Sequence, residues 1–472
     1  MDRQHDIVPP IQTQGDTPVA LADTAPSAPA EYSTAQSRAM HERARRSLAG
    51  GIASVARVFP GPWPYPPYLV EGHGSRVTDV DGNEYIDYNL AHGPLILGHR
   101  PPELTEAMVR ILQERGSSFA LSHNLEFEAA EKVVERVPSI DLLRFTNSGT
   151  EAVLAALRFA RGAAGKTKIV RFEGHYHGWG DPIHWSHRPA LAAAGLERAP
   201  RAIPATAGIP ESYGQELIIQ PWNRPEILER TIRNRKHEIA AVITEPVMGN
   251  CGGLLPQRGY LEFLRKITQD NDIFLIFDEV ITGFRVGLNG AQGLFGVTPD
   301  LTTLAKAMGA GYAVGAVGGR HEIMDLVATH QITHAGTYAG NPLQTGAVST
   351  TLDILSRPGT YERLTALGDR LRAGWHAAAN ALGIPLATTG IGPMAQLWFQ
   401  EQAPTNYREA VVGPSYNGRH DKFRAAMQRR GVMFIPGQSS NWFVSTAHTE
   451  QDIDATIDRS ADAMKELRDQ LA

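Results

Sequence analysis

The hydrophobic rhythm of the chain changes at about residue 100. Beyond that point, short apolar runs alternate with segments whose apolar positions recur every three or four residues. ELTEAMVRILQER (103–115) and EAVLAALRFARGA (151–163) carry the helical period, one stripe apolar and the opposite face polar. LLRFTN (142–147), KIVRFEG (168–174), IAAVITEP (239–246) and FLIFDEV (274–280) are short and nearly continuous in apolar character. Such runs suit strands of a mostly parallel sheet buried on both faces. The helices between them suit right-handed crossovers. The expected fold class is α/β, with a large domain over residues 100–345. Past about residue 345 the pattern gives two long helices, then shorter strands and helices, which reads as a smaller α+β domain over 346–472.

The first hundred residues follow a different pattern. Pro9, Pro10, Pro18, Pro26 and Pro29 stand among Ala, Thr, Gln and Asp, with too little apolar content to offset the entropy of ordering. Residues 1–32 therefore read as a disordered tail. Residues 33–99 read as an N-terminal segment of helix and hairpin. Its helix runs from Ser33 to about Leu48, ended by Gly50 and Gly51. A Pro-rich stretch from Pro60 to Pro67 follows, and VTDVDGNEYIDY (77–88) predicts a β-hairpin turning at Asp81-Gly82.

Composition narrows the function classes. Of 472 residues, 42% are hydrophobic and 20% charged, which excludes a disordered chain, a collagen or a coiled coil. Lys plus Arg number 45 against 50 Asp plus Glu, so the basic excess of a nucleic-acid binder is absent. Cys251 is the single cysteine and forms no intrachain disulfide. No stretch of about 18 residues is continuously apolar, and the first residues lack a signal-peptide core. The expectation is a soluble cytoplasmic protein without a membrane partner.

Four segments carry candidate chemistry. Ser148, Gly149 and Thr150 stand where a strand hands over to a helix, and the N–H groups there suit a phosphate; an ordinary N-cap gives the same pattern. In FEGHYHGWG (172–180), Tyr176 lies between His175 and His177, with His184 and His187 close behind. These histidines have no acidic or Cys companion at a zinc spacing, so no metal is expected. A flat ligand stacked on the aromatic ring fits better, against the plainer reading of an aromatic loop. Asp278 follows the apolar run 274–277, at the strand end where α/β sheets bind ligands. Lys306 sits among small and apolar residues in LTTLAKAMGAG, a setting that lowers an amine's pKa and suits a Schiff base; a Lys snorkelling to solvent is the commoner case. GAGYAVG (309–315) has the wrong spacing for a dinucleotide loop. A phosphate cradle, a stacking aromatic, a buried acid and an apolar lysine, in that order on one α/β domain, together describe a pyridoxal 5′-phosphate site.

The sequence also resembles the class III aminotransferases, pyridoxal-phosphate enzymes of fold type I, and among them the glutamate-1-semialdehyde 2,1-aminomutases. The resemblance rests on GPLILGH (93–99), RFTNSGTEA (144–152), EPVMGN (245–250), IFDEVITGFRV (276–286), GVTPDLTTLAK (296–306), GTYAGNP (336–342) and STAHT (445–449), and it runs from about residue 40 to the end. It implies Lys306 as the Schiff-base lysine, Asp278 on the ring nitrogen, and Tyr176 and Val280 on opposite ring faces. It implies Ser148, Gly149 and Thr150 at the phosphate, Asn250 at the ring 3-oxygen, and Glu245 behind them. Thr337 would reach the phosphate of a partner subunit, which implies a homodimer with shared sites. Ser54 and Arg57 align with a segment that binds substrate carboxylate.

The substrate side departs from that pattern. Ala91-His92 replace a Ser-Trp pair, Tyr338-Ala339 replace Leu-Ser, and Ser439-Ser440-Asn441 replace Phe-Glu-Ala. Cofactor positions kept beside altered substrate positions, His92 among them, lead to the expectation of an aminotransferase working between an amino donor and a keto or carbonyl acceptor. The aminomutase itself is the alternative. Lys306 and Asp278 together argue against a non-catalytic binding protein.

Overall fold

Seven strands make the central sheet of the computed structural model, which describes residues 32–57, 65–413, 418–435 and 441–471. All but the last residue of the expected tail lies outside these, as do Pro60, Trp63 and the Ser439-Ser440 pair. The strands are β1 (Leu142–Thr146), β2 (Lys168–Phe172), β3 (Leu217–Gln220), β4 (Ile239–Thr244), β5 (Phe274–Asp278), β6 (Leu301–Leu304) and β7 (Gly315–Gly319). They lie in the order β1-β7-β6-β5-β4-β2-β3. β7 runs antiparallel to both its neighbours, and every other adjacent pair is parallel. The six remaining strands therefore point the same way, and their carboxyl ends share one edge of the sheet.

Alternate residues of each strand feed opposite layers, as a two-residue period requires. Ile169, Ala241, Ile243 and Ile276 pack with Ala152, Ala156, Leu157 and Ala160 of the helix Gly149–Ala164. Val170, Val242, Leu275 and Phe277 pack on the other face with Leu261 and Leu264 of the helix Tyr260–Gln269. Each fully buried Leu or Ile stabilises this sandwich by about 2 kcal/mol. Both faces are covered, which is why the strands read as unbroken apolar runs.

The four strands expected in this region are found within two residues of their expected ends. β3, β6 and β7 were not foreseen. β7 has the sequence GAVGG, and its glycines argue against a strand on propensity. Its neighbours explain them: a Cβ on Gly315 would stand 2.6 Å from Thr146 Oγ1, and one on Gly319 would stand 2.5 Å from the Asp300 carbonyl.

The hairpin forms as expected, with Val77 opposite Tyr85 and Gly82 at φ 87°. The first helix is shorter than expected, Ala35–Ala44. The hairpin does not stand alone. Leu69–His73 pairs with one arm, and Val432–Met433 runs parallel to the other, Val432 facing Ile86. Tyr88 bonds Thr456 at 2.8 Å, and Asp452 accepts from Ser75 and Arg76, both at 2.9 Å. Residues 69–88 are thereby fastened to the last hundred residues of the chain. No helix among the described residues is long and apolar enough to cross a membrane.

Candidate active site

The shared carboxyl edge of the strands holds a cavity of about 320 Å3. Each wall arrives at the end of a strand. β1 leads into Ser148, β2 into Tyr176, β4 into Glu245, β5 ends at Asp278, and β6 leads into Lys306.

Lys306 is half-buried and sits at φ 46°, opening a short helical turn that ends at Gly309. No hydrogen bond or ion pair engages its amine among the described residues. Burial pulls its pKa down to about 8, against the opposing pull of Glu245 and Asp278. An amine so placed is neutral in a useful fraction near neutral pH.

Asp278 is buried, and both its oxygens are held. His177 Nδ1–H donates to Oδ2 at 2.6 Å. Thr303 Oγ1–H and the Val280 N–H donate to Oδ1, each at 3.1 Å. The carboxylate's need for a donor sets the tautomer of His177 and leaves its buried Nε2 without a partner among the described residues. Burial lowers the pKa of His177, with Asp278 pulling the other way.

Glu245 links two further walls. Its Oε1 accepts from the Tyr176 N–H at 2.6 Å, and its Oε2 accepts from Asn250 N and Nδ2 at 3.2 and 3.3 Å. Burial, then the charge of Asp278, pushes its pKa up to about 7. The ring of Tyr176 rests on His187, with centroids 4.8 Å apart, and meets His184 edge-on. His175 accepts from the Glu245 N–H at 3.1 Å. The four histidines of the 175–187 segment thus position other residues.

The helix Gly149–Ala164 starts at the cavity wall. Ser148 Oγ accepts from the Glu151 N–H at 3.2 Å, while the N–H groups of Gly149 and Thr150 have no acceptor among the described residues. Two glycines keep this end open. A Cβ on Gly149 would stand 2.9 Å from both methyls of Val280, and one on Gly178 would stand 2.6 Å from Thr150 Oγ1. Free N–H groups at a helix start suit an anion.

Nine of the ten expected cofactor residues therefore gather around one cavity. Thr337 does not: it is exposed, on the segment between the helices His321–Ala328 and Pro342–Leu355. Arg57 and His92 line a second cavity of about 450 Å3. Ser54 is exposed, and its hydroxyl accepts from the Ala56 N–H. Two residues that touch Asp278, His177 and Thr303, were missed. The signal for His177 was an imidazole in the loop after a buried strand, with no partner to make it a metal ligand. Glu279, next to Asp278, points elsewhere, capping the helix Gly290–Phe295 through the Ala291 and Gln292 N–H groups.

A class-III aminotransferase family model matches residues 64–464. The chain belongs to the class-III aminotransferases. A glutamate-1-semialdehyde 2,1-aminomutase 2 of an Exiguobacterium species is 43% identical over 445 residues, 93% of this chain and 99% of that one. Among solved structures, an omega-transaminase from Sphaerobacter thermophilus superposes with TM-score 0.86 at 34% identity, covering 92% of this chain and 98% of the other. A glutamate-1-semialdehyde aminomutase from Pseudomonas aeruginosa, solved in complex with PMP, superposes with TM-score 0.81 at 26% identity, covering 92% and 94%. The fold is that of these pyridoxal-phosphate enzymes, and pyridoxal phosphate is the cofactor. The cavity fits it: an unpaired amine, an acid fixed by three donors, and two free N–H groups over glycine.

Proposed function

We propose that this class-III aminotransferase moves an amino group within one carboxylate-bearing substrate, as a glutamate-1-semialdehyde 2,1-aminomutase. The arrangement that carries the chemistry is the unpaired, half-buried Lys306 in one cavity with the fixed carboxylate of Asp278. Near-full-length identity of 43% to an aminomutase supports the intramolecular outcome over the two-molecule transfer expected from the sequence.

In this reading Lys306 would hold the cofactor's carbonyl carbon, Asp278 its ring nitrogen, Asn250 its 3-oxygen, and Ser148 to Thr150 its phosphate, with Tyr176 and Val280 beside the ring. Bound pyridoxal phosphate supplies an electron sink for a carbanion beside the migrating nitrogen. The chain's residues supply the rest. The amine of Lys306, once free of the cofactor and neutral, would take a proton from one substrate carbon and return it to another position. Asp278, pinned by His177, Thr303 and the Val280 N–H, keeps a negative charge aimed into the cavity. Glu245 fixes the backbone of Tyr176 and the amide of Asn250, and Arg57 anchors the substrate carboxylate. Thr337 and Tyr338 are exposed, which supports a homodimer in which this segment serves the neighbouring site.

Transfer between two molecules is the second reading, favoured by His92 in place of tryptophan and by the second cavity beside Arg57. One experiment separates the two. Holoenzyme given glutamate-1-semialdehyde alone should form 5-aminolevulinate, and Lys306→Ala should abolish both the turnover and borohydride labelling of the protein. Failure to convert, together with efficient amination of an added keto acid by the pyridoxamine form, would establish the second reading instead.

A further inference from the structure

Arg171 carries a positive charge in the interior, and no acid among the described residues bonds it. It stands on β2, fully buried, between Val170 and Phe172. An apolar residue there, like Ile169 two positions earlier on the same face, would pack without the cost of taking a guanidinium out of water. Burial pulls its pKa down to about 9, against the opposing pull of Glu245, Glu173 and Asp278, so it stays protonated near neutral pH. Its partners are three backbone carbonyls. Nη1 donates to that of Ile183 at 2.6 Å, and Nη2 donates to those of His175 at 2.5 Å and Phe172 at 3.2 Å.

These carbonyls frame one loop. Between Glu173 and His184 the chain forms no helix or strand, yet this stretch carries Tyr176 and His177 to the cavity. The peptide joining His175 to Tyr176 is gripped at both polar ends, its C=O by Arg171 and its N–H by Glu245 Oε1 at 2.6 Å. A peptide unit is planar, so a cation on one side and an acid on the other fix its orientation. With it they fix the direction in which the Tyr176 side chain leaves the backbone. The bond from Arg171 is charge-assisted, and such bonds are stronger than those between neutral groups. The Ile183 carbonyl, further along, is drawn to the same guanidinium and closes the loop on itself. A Lys ammonium is a point charge and cannot spread its donors over carbonyls from both ends of the loop.

We propose that Arg171 is a positioning residue of the cofactor site: its guanidinium, with Glu245 opposite, orients the 175–176 peptide and thereby sets the Tyr176 ring at the cofactor. The proposal rests on the assignment of Tyr176 to the cofactor ring. It is independent of whether the amino group moves within one molecule or between two.

The test is a double-mutant cycle, read as the pyridoxal phosphate dissociation constant of cofactor-depleted protein, with thermal melts reporting folding. Arg171→Lys keeps the charge and loses the planar fork, and it should weaken cofactor binding at least tenfold. In the Tyr176→Ala background the same substitution should cost less than threefold, because the ring it positions is gone. A merely structural role would give equal losses in both backgrounds. A loss below tenfold in the parent, or of threefold or more in the Tyr176→Ala background, would overturn the proposal. Hydrogen exchange on the parent protein keeps the test independent of whether Arg171→Lys folds. The Tyr176 amide should exchange slowly even without cofactor, since the chain alone holds its peptide, and exchange at the rate of a free peptide would overturn the proposal as well. Tyr176→Ala by itself checks the assignment. Parent-like affinity there removes the role of Tyr176 and the proposal with it, whereas a loss there with none in Arg171→Lys removes Arg171 alone. Turnover of glutamate-1-semialdehyde decides only the function proposed above.

Discussion

His177→Leu removes the donor at 2.6 Å from Asp278 Oδ2 and leaves that oxygen buried without its partner. Hydrogen bonds to charged groups contribute about 1.5–3 kcal/mol, and an orphaned buried acceptor loses most of that. With Oδ2 released, the carboxylate is held only at Oδ1, by Thr303 and the Val280 N–H, and it can swing about its last torsion. On the proposed reading the cofactor's ring nitrogen would then lose a pre-oriented charge. A loss of about 2 kcal/mol corresponds to about 30-fold in cofactor dissociation constant. The assay is titration of cofactor-depleted protein with pyridoxal phosphate, followed by absorbance, beside urea unfolding of the same variants. His177→Asn carries an amide donor that can reach the same oxygen, so it should recover a good part of the loss. If the Leu variant binds cofactor within threefold of the parent, or if Asn is no better than Leu, His177 does not act through Asp278.

Gly149→Ala should weaken cofactor binding at least tenfold, because the new methyl stands 2.9 Å from both methyls of Val280, and Val280→Ala should restore much of it in the double variant. Burial lowers the His420 pKa from 6.5 to about 3, so the unfolded chain binds the proton first as pH falls. The stability contributed by its neutral ring is full above about pH 6.5 and should shrink by about 2 kcal/mol between pH 7 and pH 5; His420→Phe should flatten that part of the urea-unfolding profile. Sedimentation should report a dimer, and Thr337→Val should lower cofactor affinity without dissociating it; a fully loaded monomer would contradict the role given to Thr337.

The parts of the fold legible in the sequence were those where burial on both faces left one pattern possible. β4 and β5 carry Val, Ile, Leu and Phe because each residue meets a helix on one side or the other, and local composition alone identifies them. β7 escaped because its determinant is not local. Gly315 and Gly319 are glycine through the proximity of Thr146 and the Asp300 carbonyl, residues distant in sequence that a propensity argument cannot weigh. The pairing of Val432–Met433 with the hairpin was invisible for the same reason: a two-residue strand has no period to detect.

The same distinction divides the site. The cofactor side is assembled from strand ends: Asp278 follows an apolar run that marks its strand, whereas Lys306, two residues past the LTTL of β6, stands out by its small and apolar neighbours. Parallel strands then bring such residues to one edge with no further instruction from the sequence. The substrate side has a different origin. His92 is aimed by a left-handed turn whose geometry depends on Asp87, Asn89 and an arginine nearly two hundred residues away. Met433 reaches the same cavity only because its strand lies beside Asp87. Motif spacing can therefore carry the family's chemistry intact while the second cavity is shaped by long-range packing. That is why Arg57 and His92 could be named from aligned positions, but the 450 Å3 of apolar space between them could not. On the proposed reading, substitutions in the 89–93 turn should change which substrate is accepted without touching the residues assigned to the cofactor.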